Sequence, residues 1–219
     1  MLLLLPMPSR PELLRRLPRC VLGLALFGAG IAAIVRADLG LAPWDVFHQG
    51  VSELTGISLG LVIVLTGVAL LLLWIPLRQR AGIGTVLNAI EIGVMVDIVL
   101  AVVPETDAAA LRWLYLAGGI AMIAVGSGLY IGSGLGAGPR DGLMVGLNER
   151  FGWSIRVSRT VVEVAALMSG WALGGSVGVG TVVFAMSIGP LAHITLDWFR
   201  LPPPNPASFT SDQPAVDLT

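Results

Sequence analysis

Charged residues, cysteine, histidine and tyrosine are scarce in this chain of 219 residues, and lysine is absent, since all 13 basic residues are arginine. The single cysteine, Cys20, excludes an internal disulfide and has no second thiol or histidine nearby in the sequence, so no metal site, redox centre or cofactor is expected. Charged residues make up 12% of the chain, against roughly 25% in an average soluble domain. With a net charge of -1, the chain lacks the basic surface that nucleic-acid binding requires, so no nucleic-acid partner is expected.

Apolar residues and glycine are abundant instead. The chain is 55% hydrophobic with a mean hydropathy of +0.86, which is typical of an integral membrane protein and makes the lipid bilayer its expected surroundings. Its 28 glycines supply the small surfaces that let membrane helices approach closely. The apolar stretch at residues 1–7 precedes its arginines and has no small-residue cleavage site, so we expect it to remain uncleaved.

Six stretches are long and apolar enough to be transmembrane helices, each of which needs about 20 residues. They lie near residues 20–37, 57–77, 82–103, 112–132, 154–174 and 178–198. The predicted fold is therefore an all-α integral membrane protein with about six spans. The second and third spans are joined only by residues 78–81, which predicts a tight helical hairpin.

The arginines predict an orientation, because basic residues collect on the cytoplasmic side of a membrane. With the N-terminus inside, only Arg36 and Arg112 fall outside. The other eleven of the thirteen lie on or near the cytoplasmic side: Arg10, Arg15, Arg16, Arg19, Arg78, Arg80, Arg140, Arg150, Arg156, Arg159 and Arg200. The prediction is a multi-pass protein of the bacterial inner membrane with both termini in the cytoplasm.

The chain contains an internal repeat with an offset of 96 residues, as between positions 39 and 135. At that offset Leu39, Gly40, Pro43, Asp45, Gly50, Gly56 and Ser58 match Leu135, Gly136, Pro139, Asp141, Gly146, Gly152 and Ser154, and Gly82, Gly84, Thr85, Val86, Ala89 and Gly93 match Gly178, Gly180, Thr181, Val182, Ala185 and Gly189. Compositional bias does not reproduce the Pro-x-Asp and Gly-x-Gly-Thr spacings in one register.

The repeat predicts two halves of opposite orientation, because three spans in each half make the second half start from the other side. Residues 20–103 form the first repeat and 112–198 the second, joined by an extracytoplasmic linker at 104–111. An arginine-rich cytoplasmic segment at 1–19 precedes them, and a disordered cytoplasmic tail is expected at 199–219 because its prolines and polar residues cannot bury enough apolar surface. Inverted repeats with interrupted helices are a recurring plan of secondary transporters.

The repeated Pro-x-Asp motif predicts a short helix after the first span of each half. Proline suits the first helical turn, and Asp45 or Asp141 two residues later favours the positive end of the helix dipole. Each helix runs to Gly56 or Gly152 and, at about 20 Å, is too short to cross a bilayer. The two helices either point their N-termini at a shared site as re-entrant pieces, with Arg140 beside Asp141, or are interfacial helices whose aspartates serve only as caps.

Ionisable residues inside the predicted spans are candidates for a substrate or ion path, because a charge at the bilayer centre costs about 2.5–3.5 kcal/mol on insertion scales. Glu91 is central in the third span, with Asn88 one turn before it and Asp97 nearer the outer end. The alternative is that Glu91 is protonated or hydrogen-bonded between helices as a packing residue.

In the fifth span, Arg159 and Glu163 have the i,i+4 spacing of an ion pair, which is either structural or lines a cavity for an anionic or zwitterionic substrate. His193 in the last span aligns with Asp97 and is expected to be a packing residue. The Gly-x-Gly-Thr segments at 82–85 and 178–181 either cradle a ligand or permit close packing where the helix begins.

Taken together, the strings LGLAPWDVFHQG, GIGT, GAGPRDGLMVGL, RVSRTVVE and GGSVGVGT, over roughly residues 18–198, resemble the YczE/YyaS/YitT-type bacterial membrane proteins. The resemblance implies a multi-pass inner-membrane protein, with an exporter role suggested for some relatives and no catalytic residues to carry over.

The leading functional hypothesis is a secondary transporter, in particular a proton-coupled exporter of small organic molecules. The alternative is a non-transporting accessory or scaffold protein, for which the short loops offer little docking surface. An enzyme is not expected, because Asp141 follows Gly-Pro-Arg instead of the Gly-x-Gly setting that membrane aspartyl proteases resemble, and no Ser/His pairing suggests an acyl-transfer site. Small-residue spacings from Gly128 to Gly132 and from Gly170 to Gly174 suggest faces for a homodimer.

Overall fold

The structure is a computed structural model that describes residues 3–5 and 8–202. The described part of the chain folds into eight helices and one pair of short strands. The helices are α1 (Arg10–Ala37), α2 (Pro43–Thr55), α3 (Leu59–Leu77), α4 (Ile83–Val102), α5 (Ala109–Gly132), α6 (Pro139–Phe151), α7 (Ile155–Ala172) and α8 (Val179–Phe199). Strand β1 (Leu3–Leu4) pairs in parallel with β2 (Arg80–Ala81), in the connection that we predicted as a plain hairpin loop.

Helices α1 and α5, which begin the two repeats, pack against each other along the middle of the bundle. A methyl group on Gly30 would lie 2.6 Å from the carbonyl oxygen of Gly119, and one on Gly119 would lie 2.7 Å from that of Gly30. Only glycine permits this approach, which lets the two backbones meet directly. Around this contact lies the apolar core, to which α1 contributes Leu24, Ile31 and Ile34 and α5 contributes Leu116, Ile120 and Ile123.

The two predicted short helices are confirmed. Helices α2 and α6 each have 13 residues, begin with the motif proline and end before Gly56 or Gly152 in the left-handed conformation, with φ of 73° and 71°. Their N-cap positions are Ala42 and Gly138, which have no side-chain capping hydrogen bond. At this length neither helix crosses a bilayer.

The loop before each short helix forms a backbone hydrogen bond with the other repeat. The carbonyl oxygen of Leu39 accepts a hydrogen bond from the backbone N–H of Gly180 at 2.6 Å, and that of Leu135 accepts one from Gly84 at 2.9 Å. The two contacts are equivalent at the 96-residue offset. The Gly-x-Gly segments therefore serve close packing where α4 and α8 begin, which was the simpler of the two interpretations.

The third helices of the two repeats are packed differently. In the first repeat α3 and α4 touch along what we call the α3–α4 seam, where a side chain on Gly60 or Gly93 would collide with the backbone of the other residue. In the second repeat α7 and α8 diverge, and a methyl group on Gly189, the counterpart of Gly93, would meet nothing within 4 Å. We call this opening, between Glu163 of α7 and Gly189 of α8, the α7–α8 gap.

Within residues 3–5 and 8–202, five helices are long and apolar enough to cross a membrane: α1, α3, α4, α5 and α8. They correspond to five of the six predicted spans. The remaining prediction falls on α7, which has 18 residues and carries Arg156, Arg159 and Glu163, so the sixth span is not confirmed by length and composition.

The first helix begins earlier than predicted, at Arg10 instead of residue 20. Arg16 is buried, with 2% of its surface exposed, and donates hydrogen bonds to the carbonyl oxygens of Ser133 at 2.7 Å and Pro202 at 2.5 Å. The segment therefore joins the bundle instead of forming a separate arm. Residues 203–219, to which most of the predicted disordered tail belongs, lie outside the described residues.

The glycines that suggested faces for a homodimer pack within the protomer, and the homodimer itself stays a prediction. Gly128 packs against Thr195 of α8 and Gly132 against Phe199, while Gly170 packs against the backbone of α2 at Phe47. A dimer through these faces would compete with the contacts that hold the protomer together.

Candidate functional site

The first turns of α2 and α6 line one cavity in the middle of the bundle. This central cavity has a volume of about 550 Å³, within the range of small-molecule sites. The two helices contribute Trp44, Asp45 and His48 on one side and Arg140 and Asp141 on the other. Of the two interpretations of the short helices, the one that brings their N-termini to a shared space describes the observed geometry.

Apolar side chains from the longer helices form most of the cavity wall. They come from α1, α3, α4, α5 and α8, and include Phe27, Ile63, Leu70, Ile92, Ile123, Phe184 and Ile188. An apolar wall with few polar groups is the usual character of a binding site for an organic molecule, because the wall contributes affinity and the polar groups orient the ligand.

Arg140 is held in the cavity by stacking rather than by hydrogen bonds. Its guanidinium carbon lies 5.0 Å from the centre of the Trp44 ring, which is a cation–π distance. Its nearest carboxylate contact is Nη2 to Asp45 Oδ1 at 3.9 Å, longer than a hydrogen bond. The side chain is 28% exposed, and this surface faces the cavity.

Asp45 and His48 form a buried pair on α2, three residues apart. His48 Nδ1 lies 3.3 Å from Asp45 Oδ1, with 0% and 4% of the two side chains exposed. His48 Nε2 and the nearby Trp44 Nε1 are buried without a hydrogen-bond partner among the described residues. Buried polar atoms are normally paired, so these two atoms mark unused hydrogen-bonding capacity in the cavity wall.

Asp141 faces the cavity opposite this pair. The hydroxyl of Tyr130 donates a hydrogen bond to Asp141 Oδ2 at 3.3 Å. A methyl group on Gly138 would lie 2.7 Å from the Tyr130 hydroxyl and 3.3 Å from Asn88 Nδ2, so the glycine before the motif proline makes room for this polar cluster.

Residues on both sides of the α7–α8 gap line the cavity. The predicted Arg159–Glu163 ion pair is confirmed at 2.9 Å, with 57% and 33% of the side chains exposed. Across the gap, His193 lies 3.8 Å from Asp197. Both Arg159 and His193 line the cavity, so charged groups flank its opening.

The structure brings together six of the eight predicted path residues and leaves two apart. Asp45, Asn88, Arg140, Asp141, Arg159 and Glu163 line the cavity, whereas Glu91 and Asp97 do not. Asp97 accepts hydrogen bonds from the Ser58 hydroxyl at 2.6 Å and the Gly60 backbone at 2.7 Å, which satisfies the first turn of α3. Glu91 is half-buried on α4, and its predicted role in the path stays a prediction.

Trp44, His48 and Tyr130 were not chosen as site residues from the sequence. Trp44 aligns with Arg140 at the 96-residue offset, so the repeat itself offered a signal that the two residues share one location. His48 and Tyr130 align with Met144 and Ile34, and nothing in the pattern distinguishes them from packing residues.

A family model covers nearly all of this architecture, matching residues 14–197; it is DUF6198, described as a family of unknown function. The chain belongs to this family. A protein of Haemophilus influenzae (strain Rd), recorded as "Uncharacterized protein", is 41% identical over 180 residues, which is 82% of this chain and 83% of that protein. No solved structure matches the chain.

Two relatives from Bacillus subtilis (strain 168) agree with the family resemblance expected from the motifs. The "Uncharacterized membrane protein YczE" is 32% identical over 190 residues, covering 85% of this chain and 88% of the relative. The "Uncharacterized protein YyaS" is 25% identical over 177 residues, covering 79% and 88%. The family and the five apolar helices together make this an α-helical, multi-pass membrane protein.

Proposed function

We propose that the protein is a secondary transporter that moves small organic molecules through the central cavity by coupling them to protons. The observation that carries the proposal is the meeting of two half-helix N-termini, with Asp45, Arg140 and Asp141, in a cavity enclosed by apolar helices. Ionisable groups are costly in such surroundings and are characteristic of substrate and proton paths.

The proposal includes six spans, with α7 as the sixth, arranged as two inverted repeats in a bacterial inner membrane with both termini in the cytoplasm. The reciprocal contacts of Leu39 with Gly180 and Leu135 with Gly84 support a two-fold relationship between the halves. Arg159 and Glu163 of α7 line the cavity. A transmembrane helix can carry charged side chains when they face a cavity instead of lipid.

The difference between the two repeats supports a transport cycle. In this orientation the closed α3–α4 seam lies near the outer side and the α7–α8 gap opens toward the cytoplasm. Because the halves are related in sequence, we expect an opposite state in which α7 and α8 approach each other and the α3–α4 seam opens. Arg156 stands where α3 has Gly60, so α7 and α8 remain farther apart in that state than α3 and α4 are here. Access to the cavity then alternates between the two sides.

Transport is tested with purified protein in liposomes loaded with pH buffer and supplied with the dialysable small-molecule fraction of a bacterial extract. Compounds that enter under an imposed pH gradient are identified by mass spectrometry. We expect at least one compound to accumulate with the wild-type protein and not with Asp141→Asn. Glu149→Gln, an exposed position on the same helix, is the matched control and retains accumulation. If wild-type vesicles accumulate no compound beyond the level of protein-free vesicles, the accessory hypothesis is favoured instead. Equal accumulation by wild-type and Asp141→Asn vesicles would remove Asp141 from the proton path.

A further inference from the structure

We infer that the central cavity recognises a zwitterion that carries a carboxylate and an ammonium group on an apolar body, such as an apolar amino acid. This inference rests on the proposed transport function and names its substrate class. It is argued from three features of the cavity: the free donors of Arg140, the unpaired atoms of Trp44 and His48, and the distribution of charge.

Arg140 differs from the other arginines that reach into the bundle. Arg16 donates to backbone carbonyls at 2.5–2.7 Å, Arg36 donates to Leu100 at 2.5 Å and Arg112 donates to Ala37 at 2.8 Å. Within residues 3–5 and 8–202, Arg140 has no hydrogen-bond partner and is positioned by the Trp44 ring. An arginine fork held in place with free donors is suited to bind a carboxylate in a bidentate manner.

Two further groups fit the same carboxylate. The Trp44 Nε1–H is buried and has no hydrogen-bond partner in the part of the chain that the structure describes, and an indole nitrogen can only donate. Arg140 lies in the first turn of α6, where free backbone N–H groups and the helix dipole favour an anion. The Trp44 donor, the arginine fork and the helix N-terminus therefore favour an oxyanion at this end of the cavity.

The opposite charge is provided by the aspartates. Asp45 and Asp141 both flank Arg140, and together with the Arg159–Glu163 pair they give the cavity lining two arginines and three carboxylates. A simple anion would increase the excess of negative charge, whereas a zwitterion places its ammonium group near the aspartates and its carboxylate at Arg140. His48 is fully buried with Nε2 unpaired. Because Nδ1 faces Asp45, Nε2 of the neutral ring is an acceptor for a ligand N–H group.

The apolar wall of the cavity determines which kind of side chain the ligand carries. Ile63, Ile92, Ile123 and Phe184 line the same cavity as the charged groups. A branched aliphatic or aromatic side chain is stabilised there by removal from water, whereas a long polar side chain would lose hydrogen bonds.

The test measures the melting temperature of the purified full-length protein with a thiol-reactive dye that reports on Cys20, which is buried in the folded state. The probes are L-leucine, its analogue without the amino group (4-methylpentanoate) and its analogue without the carboxylate (3-methylbutylamine). At ten times its dissociation constant, leucine is expected to raise the melting temperature by about 4 °C. Both analogues are expected to give less than half that shift at the same concentration.

Variants of the anion site separate recognition from folding. Arg140→Gln is expected to fold, because the side chain has no hydrogen-bond partner within residues 3–5 and 8–202, and to lose the leucine shift. Arg140→Lys is expected not to restore the shift, since an ammonium group cannot form the bidentate contact. Arg150→Gln, on the same helix but exposed, retains the shift.

Three results would overturn the assignment. An equal shift from 3-methylbutylamine shows a cation site, and an equal shift from 4-methylpentanoate shows an anion site without an amino-group contact. No shift with leucine or phenylalanine, in a protein that still accumulates compounds from the extract, shows that the substrate belongs to another class while transport stands.

Discussion

At the scale of single residues, the two aspartates of the repeated motif have different surroundings although they occupy equivalent positions. Asp45 is 3% exposed and paired with His48, whereas Asp141 opens to the cavity and accepts a hydrogen bond from Tyr130. The difference arises from neighbours that the repeat does not share, because the counterpart of His48 is Met144 and that of Tyr130 is Ile34. Asp141 is therefore the carboxylate best placed to exchange a proton with the cavity.

The first prediction compares Asp141→Asn with Glu91→Gln. Loss of a hydrogen bond to a charged group costs about 1.5–3 kcal/mol, so Asp141→Asn is expected to lower the initial rate of flux by about tenfold or more. Glu91 does not line the cavity, and Glu91→Gln is expected to have a smaller effect. The measurement is flux into liposomes at matched protein content, with insertion checked by flotation. A larger loss for Glu91→Gln would place the proton path outside the cavity.

A second prediction concerns Gly142, which packs against the buried ring of Trp74. A methyl group on Gly142 would overlap that ring, and Trp74 Nε1 donates a hydrogen bond to the carbonyl of Pro139 at 2.9 Å. Gly142→Ala is expected to destabilise the protein by about 1–3 kcal/mol through overpacking. The melting temperature should fall, whereas Gly118→Ala, which has open space on α5, should leave it unchanged. Equal melting temperatures for the two variants would contradict the placement of α6 against α3.

At the scale of helices, the α3–α4 seam and the α7–α8 gap make opposite predictions for equivalent glycines. Gly93→Ala forces a methyl group against the backbone of Gly60, while Gly189→Ala, 96 residues later, has no neighbour within 4 Å. The first substitution is expected to lower the melting temperature by about 3–10 °C and the second to leave it nearly unchanged. The reverse order would mean that α7 and α8 form the closed pair.

Closure of the α7–α8 gap is tested by crosslinking. Val64 contacts Gly93 in the closed seam, so its counterpart Thr160 is expected to approach Gly189 when the gap closes. In a Cys20→Ser background, Thr160→Cys combined with Gly189→Cys should form an oxidant-dependent disulfide in membranes and lose flux until it is reduced. The pair Val64→Cys and Thr160→Cys, placed on different repeats, serves as the negative control. Absence of a crosslink under every gradient and ligand condition would contradict the exchange of states.

At the scale of the whole molecule, the proposed inverted repeat requires the ends of α2 and α6 to lie on opposite sides of the membrane. Glu53 and Glu149 are equivalent and exposed. With Cys20→Ser, a cysteine at position 53 should react with an impermeant thiol reagent in intact cells. One at position 149 should react only after permeabilisation. Labelling of both from one side would contradict the six-span arrangement and with it the proposed transport cycle.

Local signals were sufficient for the helices and for much of the cavity. Proline at the first turn and glycine at the C-cap act within a few residues, so the bounds of α2 and α6 were predictable from the sequence. The same motif in both repeats offered a shared site for Asp45, Arg140 and Asp141 as one of two interpretations. Long apolar runs likewise predicted α1, α3, α4, α5 and α8, because length and hydropathy are properties of a segment alone.

The neighbours of each charged residue were decided only by tertiary structure. Asp97 and Glu91 have the intramembrane position expected of path residues. In the folded protein, however, Asp97 accepts a hydrogen bond from the first turn of α3, and Glu91 lies outside the cavity. The closed α3–α4 seam and the open α7–α8 gap also differ in how their helices pack. The sequence carries one sign of this difference, because Gly60 and Gly67 of α3 align with Arg156 and Glu163 of α7. The amino-acid sequence thus determined the helices and their two-fold repetition through local backbone and hydrophobic preferences. Which side chains share one cavity depended on contacts between helices distant in the chain.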